Sequence, residues 1–204
     1  MGFDACLMGS FSSLRSYQDV AKYLVASQAT EPGHGWDYSQ WNADYTSIID
    51  LGTNIVDTFI SSKQGFPTHK NPKVLALLDL TKVSDFEEKN ERFFAEIVHA
   101  YNEGDQSVVT VVQRAFESAL RFVGAMDQSF SSAEGLSKSA VDFGDFLNYF
   151  GVGCPFGSSI LKGAHNDVQI AYKSIVKHIK VGRGTSDRAT GFYTWLPSVR
   201  HRYE

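Results

Sequence analysis

Two short stretches hold the side chains able to do chemistry. Phe3-Asp4-Ala5-Cys6-Leu7-Met8-Gly9 places a carboxylate two residues before a thiol, and Ser27-Gln28-Ala29-Thr30-Glu31-Pro32-Gly33-His34-Gly35-Trp36 adds a glutamate and a histidine among turn residues. In extended backbone, residues i and i+2 project to one face. Asp4 and Cys6 would then share a crevice at the carboxyl end of a strand, where open α/β sheets bind ligands. The thiolate is the attacking form of cysteine, and a helix opening at Gly9-Ser10 would favour it through its positive N-terminus. A carboxylate beside it disfavours a second negative charge, so Asp4 calls for another purpose. Pairing with a cationic Arg or Lys side chain of a substrate is the purpose this geometry suggests, and a turn or helix cap is the alternative. Ser27 and Glu31 either border the same cleft or hold the turn around Pro32-Gly33. Trp36 is of a type that more often packs than binds.

The elements that must position these residues follow from periodicity. Phe3 alone precedes Asp4 as a strand stub. Phe11, Leu14, Tyr17, Ala21 and Leu24 recur at helical spacing and predict a helix from about Ser10 to Lys22. A short strand over Tyr23–Ala26 and a loop from Ser27 to Tyr38 come next. Trp41 to Ser62 is helical in pattern, with a break expected at Gly52-Thr53. Val74 to Leu80 is a continuous apolar run, the mark of a strand buried on both faces. Ser84-x-x-Glu87 reads as a capping box opening a helix whose Phe86, Phe93, Phe94, Ile97 and Val98 face inward. Gln106 to Val123 is again helical, Gln128 to Ser139 is a Ser/Gly-rich loop, and Asp142 to Tyr149 is a strand end entering a helix. Val168, Ala171, Tyr172, Ile175 and Ile179 form a helical stripe. Lys180 to Thr190 is a basic loop, and Gly191 to Pro197 is the last strand. The alternation predicts an α/β fold with a mainly parallel sheet flanked by helices. The strands at Val74–Leu80 and Gly191–Pro197 are expected in one sheet with the stub at Phe3-Asp4.

Composition narrows the partners. The chain has 204 residues, 43% apolar and 21% charged, with a net charge of −4, which is ordinary for a globular unit with one sizeable core. It has no Lys/Arg-rich tract that would imply nucleic acid or an anionic membrane as partner. No apolar run reaches the roughly 18 residues of a membrane span. Cys6 and Cys154 are the two cysteines; two thiols make no disulfide framework, although a bond between them stays open, and zinc-ligand spacings are absent.

The string FDACLMG, followed by S-Q-x-x-E-P-G-x-G-W-x-Y, resembles the clostripain family of cysteine peptidases, in the wider group of caspases, gingipains and legumains. Leu75-Ala76-Leu77-Leu78-Asp79-Leu80-Thr81-Lys82 resembles that family's second strand. Ala140-Val141-Asp142-Phe143-Gly144-Asp145-Phe146 resembles its VDLxDF segment, and Gly191-Phe192-Tyr193-Thr194-Trp195-Leu196-Pro197 its closing GxSIYFP strand. The blocks keep the family's order over nearly the whole chain. The resemblance implies a caspase-like fold, Cys6 as nucleophile, an acyl-enzyme intermediate, and Asp4 as the acid that selects cleavage after Arg or Lys. It also implies a peptide or protein substrate and no cofactor in the chemistry. Some relatives depend on calcium, but no carboxylate spacing here is that of an EF-hand or similar loop. The pattern departs at Ser12, where relatives commonly carry glutamate, and in the closing strand, which has Tyr193-Thr194-Trp195-Leu196 for Ser-Ile-Tyr-Phe.

In the resembled family the base is a histidine of a His-Gly pair upstream of the cysteine. The chain is therefore expected to be the carboxy-terminal portion of a peptidase domain, spanning 1–204 as a single unit, with the region from about 84 to 180 readable as a helical appendage. The amino-terminal strands and the His-bearing half would be missing and supplied in cis or as a light chain. Any targeting segment would lie upstream as well; relatives are often secreted, and the compartment stays open. His34 sits in the motif loop before Gly35, but the family's slot there is variable and its base precedes the cysteine. His69, His99, His165, His178 and His201 lie outside the motifs. Two functions follow: an endopeptidase chain that needs its His-bearing segment, and a non-catalytic fragment that keeps the fold and binds peptides.

Overall fold

The computed structural model describes residues 1–41, 44–62, 73–122, 140–182 and 185–195. The chain starts as a strand stub, with the Phe3 N–H donating to Val25 O and the Val25 N–H to Met1 O, each at 3.0 Å. Ser10 caps α1 (Phe11–Tyr17), its hydroxyl accepting the Ser13 N–H at 3.0 Å. This helix is shorter than the spacing predicted, because Ala21 and Leu24 continue the apolar series after the backbone has turned into β1 (Tyr23–Ala26). The loop after β1 leads to α2 (Ile48–Ser61), which is unbroken. Gly52 is no break: a Cβ there would lie 2.6 Å from Leu77 Cδ1, so it is the point of closest approach between α2 and the sheet.

All residues of β2 (Val74–Asp79) are buried, because alternate side chains enter different cores. Leu75 and Leu77 pack with Val25, Trp36, Ile55, Val56 and Phe59 beneath α2. Ala76 and Leu78 pack into a larger aromatic core on the other face, with Phe86, Phe93, Phe143, Phe146, Phe150 and Phe192. That second face is covered by α3 (Val83–Asn102), α4 (Ser107–Ser118), α5 (Phe143–Gly153) and α6 (Ser159–Ile175). The Ser84 capping box does not form. Helix α3 starts at Val83 behind Lys82, the Ser84 hydroxyl turns to Gln18, and Glu87 pairs with Arg15. Val98, expected inside, is 57% exposed. Asp142 ends β3 (Ala140–Asp142) and caps α5 by accepting the Asp145 N–H at 2.9 Å. The expected loop at Gln128–Ser139 lies outside the described residues.

The mainly parallel sheet expected from the sequence is not what forms. Strands β1, β2 and β4 (Val176–Val181) make a three-stranded sheet in that order, antiparallel at both pairings. Strand β3 pairs antiparallel with β5 (Tyr193–Trp195) in a separate two-stranded sheet. The closing strand and the Val74 strand are thus in different sheets. The stub joins them only through isolated parallel bridges, Gly2 to Val25 and Ser10 to Tyr193. A continuous apolar run reports coverage on both faces and carries no direction. Direction depends on which end of β2 each excursion re-enters. Ala26 leaves opposite Ala76 and the chain returns at Val74, the same end; Asp79 leaves beside the point where α6 runs without a turn into Val176. Ile179, expected on the helical stripe, is in β4, an unexpected strand whose partial burial follows from its place at the sheet edge.

The two sheets are tied by one buried side chain. Gln28 is 1% exposed; its Nε2 donates to Asp142 Oδ2 at 2.8 Å and its Oε1 accepts the Gly191 N–H at 2.9 Å. Asp142, fully buried, also accepts the Thr190 N–H at 2.8 Å and the Thr190 hydroxyl. Burial raises its pKa to about 6 despite these bonds. Replacing Gln28 by Ala would leave the Gly191 N–H without its acceptor and remove one donor from the buried Asp142 carboxyl, so Gln28→Ala is expected to cost about 1–3 kcal/mol. Urea denaturation measures it, and a loss below about 0.5 kcal/mol, the level of an indifferent surface change, would show that this tie does not hold the sheets.

Candidate active site

The two motif stretches lie side by side. The Leu7 N–H donates to Ala29 O at 3.0 Å and the Gly9 N–H to Ser27 O at 2.7 Å. A Cβ on Gly9 would sit 2.9 Å from Gln28 N and from the Ser27 carbonyl carbon, so the backbones approach this closely only because residue 9 has none. Cys6 is exposed on the turn between strand stub and α1. Leu7, next to it, has φ 61°, a left-handed conformation uncommon for a side chain with a Cβ. Its carbonyl accepts the Tyr193 hydroxyl at 3.0 Å, and the Gly9 carbonyl accepts the Tyr193 N–H at 3.0 Å. The closing strand therefore braces the cysteine turn.

One loop meets both reactive side chains. The Glu31 backbone N–H donates to Cys6 Sγ at 3.2 Å, and the Glu31 carbonyl lies 3.8 Å from the same sulfur. The Trp36 N–H donates to Asp4 Oδ2 at 3.0 Å and the Tyr38 hydroxyl to the same oxygen at 2.8 Å. Gly35, at φ 69°, makes room for the acid: a Cβ there would lie 2.5 Å from Asp4 Oδ2. Asp4 also lines a cavity of about 330 Å³ whose walls include Trp36, Tyr38, Trp41, Ile55 and Leu77. It is the acidic side chain among the described lining residues, and aromatic walls suit a cation.

The remaining candidates fall into place around this pair. Ser27 is fully buried, its hydroxyl bonded to both the N–H and the carbonyl of Ala29, so it shapes the turn. His34 Nδ1 is 2.7 Å from Gly35 O, and its ring lies against Phe59 rather than Cys6. Trp36 packs, at 5% exposure. Tyr38 and Gln28 stood in the motif string without a role, and their buried or acid-bonded polar groups became visible only with the geometry. Cys154 follows α5, half-buried, and burial first, then Asp105, raises its pKa. Among the described residues no group of three or more His, Cys, Asp or Glu side chains could hold a metal ion, and no helix is long and apolar enough to cross a membrane.

Glu31 is the electrostatic anomaly. Both carboxyl oxygens are shielded from solvent without a hydrogen bond of good geometry, as is the Trp36 indole nitrogen. Burial first, and the neighbouring Asp4 carboxyl second, push its pKa up to about 9. Glu31 therefore holds a proton in the fold at pH values where the unfolded chain has lost it. Its contribution to stability is complete below the ordinary value of 4.5 and is lost as pH rises through about 9. Glu31→Gln, which needs no proton, should lose less stability than the parent as pH is raised from neutral through about 9. Melting temperatures of both proteins across that range check this; parallel curves would place the proton elsewhere.

The clostripain family model matches residues 1–149. Comparison with curated proteins gives no match. Among solved structures, a B. fragilis cysteine protease is similar at TM-score 0.56 and 14% identity, over 98% of this chain and 78% of that one. A clostripain from Bacteroides thetaiotaomicron ATCC 29148, in complex with the peptide inhibitor BTN-VLTK-AOMK, is similar at TM-score 0.55 and 17% identity, over 98% and 79%. A secreted C11 cysteine protease from the same species, in complex with an irreversible peptide inhibitor, has TM-score 0.60 and 14% identity, over 100% of this chain and 53% of that one. Identities this low carry the fold alone. With the family model spanning most of the chain, Cys6 and Asp4 included, this protein belongs to the clostripain family of cysteine peptidases.

Proposed function

We propose that this chain carries the nucleophile and the specificity acid of an endopeptidase that cleaves after Arg or Lys. The observation that supports the proposal is the shared loop, whose Glu31 N–H bonds Cys6 Sγ and whose Trp36 N–H bonds Asp4 Oδ2. The Cys6 thiolate adds to the scissile carbonyl carbon. The C–N bond breaks, the amine leaves with a proton from the general acid, and the acyl group remains on sulfur as a thioester. Water then adds to the thioester, its proton passing to the base, and C–S cleavage returns the thiolate and releases a carboxylic acid. The Cys6 backbone N–H, which no acceptor among the described residues takes, is the oxyanion donor supplied by this chain. Asp4, opening on the aromatic-lined cavity, receives the guanidinium or ammonium. The B. thetaiotaomicron clostripain ligand, BTN-VLTK-AOMK, is a peptide whose letters end in K, which is in keeping with such a pocket.

Among the described residues no histidine is bonded to Cys6. His34, His165 and His178 are bonded to Gly35 O, Leu147 O and Asp57 respectively. We assign the base to a His-Gly segment upstream, in cis or as a separate chain. The same placement of the histidines supports the second reading, a peptide-binding module without turnover when that segment is not supplied. The chemistry as written uses no metal or cofactor.

Cys6 should be the reactive thiol, since it is exposed and accepts an N–H, whereas burial raises Cys154. Iodoacetamide labelling of the native protein with peptide mapping should modify Cys6 first; preferential labelling of Cys154 would remove the site assignment.

Fluorogenic peptides ending in Arg and in Leu separate the two readings. Alone, the chain should hydrolyse neither appreciably, since general-base help is worth about 10²–10⁴-fold and one oxyanion donor about 10²–10³-fold. With the His-bearing segment added, the Arg peptide should be cleaved, and Asp4→Asn should lower its kcat/KM by about 10²–10³-fold while thiol labelling at Cys6 changes little. Equal cleavage of both peptides by the completed enzyme would remove Asp4 from its role. Efficient Arg-selective cleavage by the chain alone would return His34 to consideration as base.

A further inference from the structure

We infer that Glu31 is the second acid of the Asp4 site, holding a proton while the site is empty and releasing it when the guanidinium or ammonium of a basic side chain binds. The inference rests on the proposal that Asp4 selects basic residues. Its own ground is the pair of Glu31 carboxyl oxygens, both shielded from solvent and neither in a hydrogen bond of good geometry, close to an acid whose Oδ2 is fixed by Trp36 N–H and the Tyr38 hydroxyl. A buried carboxyl without donors stays neutral, because the ionised form has nothing to replace its lost hydration. Two adjacent carboxylates cannot both be charged cheaply either, so the proton belongs to the more buried of them.

The surroundings leave the proton as the neutralising charge. The titratable groups facing Glu31 are Asp4, with Tyr38 on the far side of Asp4; Cys6 meets only its backbone, and His34 turns to Gly35 O. Every ion pair described for a lysine or arginine lies elsewhere, on Asp57, Asp79, Asp85, Glu87, Glu88, Asp145 or Asp167. The Trp36 indole N–H, in no hydrogen bond of good geometry, is nevertheless the neighbouring donor that favours the ionised acid. A guanidinium on Asp4 changes this balance. It carries a full positive charge and several N–H donors in a planar fork, and that charge beside the acid pair takes over what the proton did. Glu31 then ionises, the proton passes to buffer, and the cation faces two carboxylates where the empty site held a single ionised one. Selection of a cation over a neutral side chain is thereby stronger than Asp4 alone would give, and it strengthens as pH rises.

The probe is N-acetyl-arginine amide, titrated calorimetrically into the chain in phosphate and in Tris, buffers of different ionisation enthalpy. The parent protein at neutral pH should release about one proton per ligand bound, and its affinity should rise up to about tenfold per pH unit, levelling near the pKa of free Glu31. Glu31→Gln should bind without proton release and with a flat pH profile. Carboxyl-carbon NMR of the parent gives the same answer without a variant: the Glu31 signal should move to its ionised position when the probe is added at neutral pH. Binding by the parent with no proton release and no movement of that signal would overturn the role of Glu31 and leave Asp4 in place. Binding by Asp4→Asn as tight as by the parent, or no binding by the parent at all, would overturn the Asp4 assignment and this inference with it.

Discussion

The site depends on a backbone contact made before any side chain matters: the Gly9 N–H on Ser27 O, with Leu7 N–H on Ala29 O beside it. These bonds hold the cysteine turn against the loop that follows β1, and each reactive group takes its position from that seam. Cys6 reaches the Glu31 N–H because its turn is fixed three residues from where Gly9 crosses Ser27–Gln28. Asp4 reaches the Trp36 N–H because Gly35 has no Cβ to hold it off. Both glycines act by what they lack: a methyl group at Gly9 would push the two backbones of the seam apart, and one at Gly35 would push Asp4 off the Trp36 N–H.

In the proposed mechanism the site is a compromise between a thiol that attacks as an anion and an acid that receives a cation. A carboxylate near a thiolate costs reactivity, and a second carboxylate would add to the cost. Keeping Glu31 protonated limits it. The backbone of the same residue meanwhile gives its N–H to the Cys6 sulfur, so Glu31 holds the cysteine in place through its main chain and withholds a negative charge through its side chain.

What the sequence disclosed, and what it hid, divides along physical lines. Cys6, Asp4 and the loop from Ser27 were legible because short motifs with glycines at fixed offsets report close backbone approach, a local property. The burial of Val74–Asp79 was legible because a strand covered on both faces must be apolar throughout. Strand direction was not, since Leu75 and Leu77 would face one core and Ala76 and Leu78 the other whichever way their neighbours ran. Strand β4 escaped because Val168, Ala171, Tyr172 and Ile175 carry a helical rhythm straight into Val176 with no turn residue to mark the change. Gln28 and Glu31 hid for a different reason. A polar residue in a turn reads as solvated, and only long-range geometry shows that Gln28 spans to Asp142 and Gly191 across the core.

The closing strand shows how a departure from a family pattern can be absorbed. Where the resembled motif has serine, this chain has Tyr193, which sends its N–H to Gly9 O and its hydroxyl to Leu7 O. Leu7 is the residue held at φ 61°, immediately after the nucleophile. Such a conformation costs on the order of 1–3 kcal/mol and persists only where the surroundings over-determine it. Here its N–H and its carbonyl are each engaged, by Ala29 and by Tyr193, from opposite sides. The larger side chain does not crowd the site, because Tyr193 lies 3% exposed beneath the turn and reaches upward from the two-stranded sheet. That sheet is in turn anchored to the loop through Gln28, Asp142 and Gly191, so the strain beside Cys6 is held by the same small sheet that the motif loop is tied to.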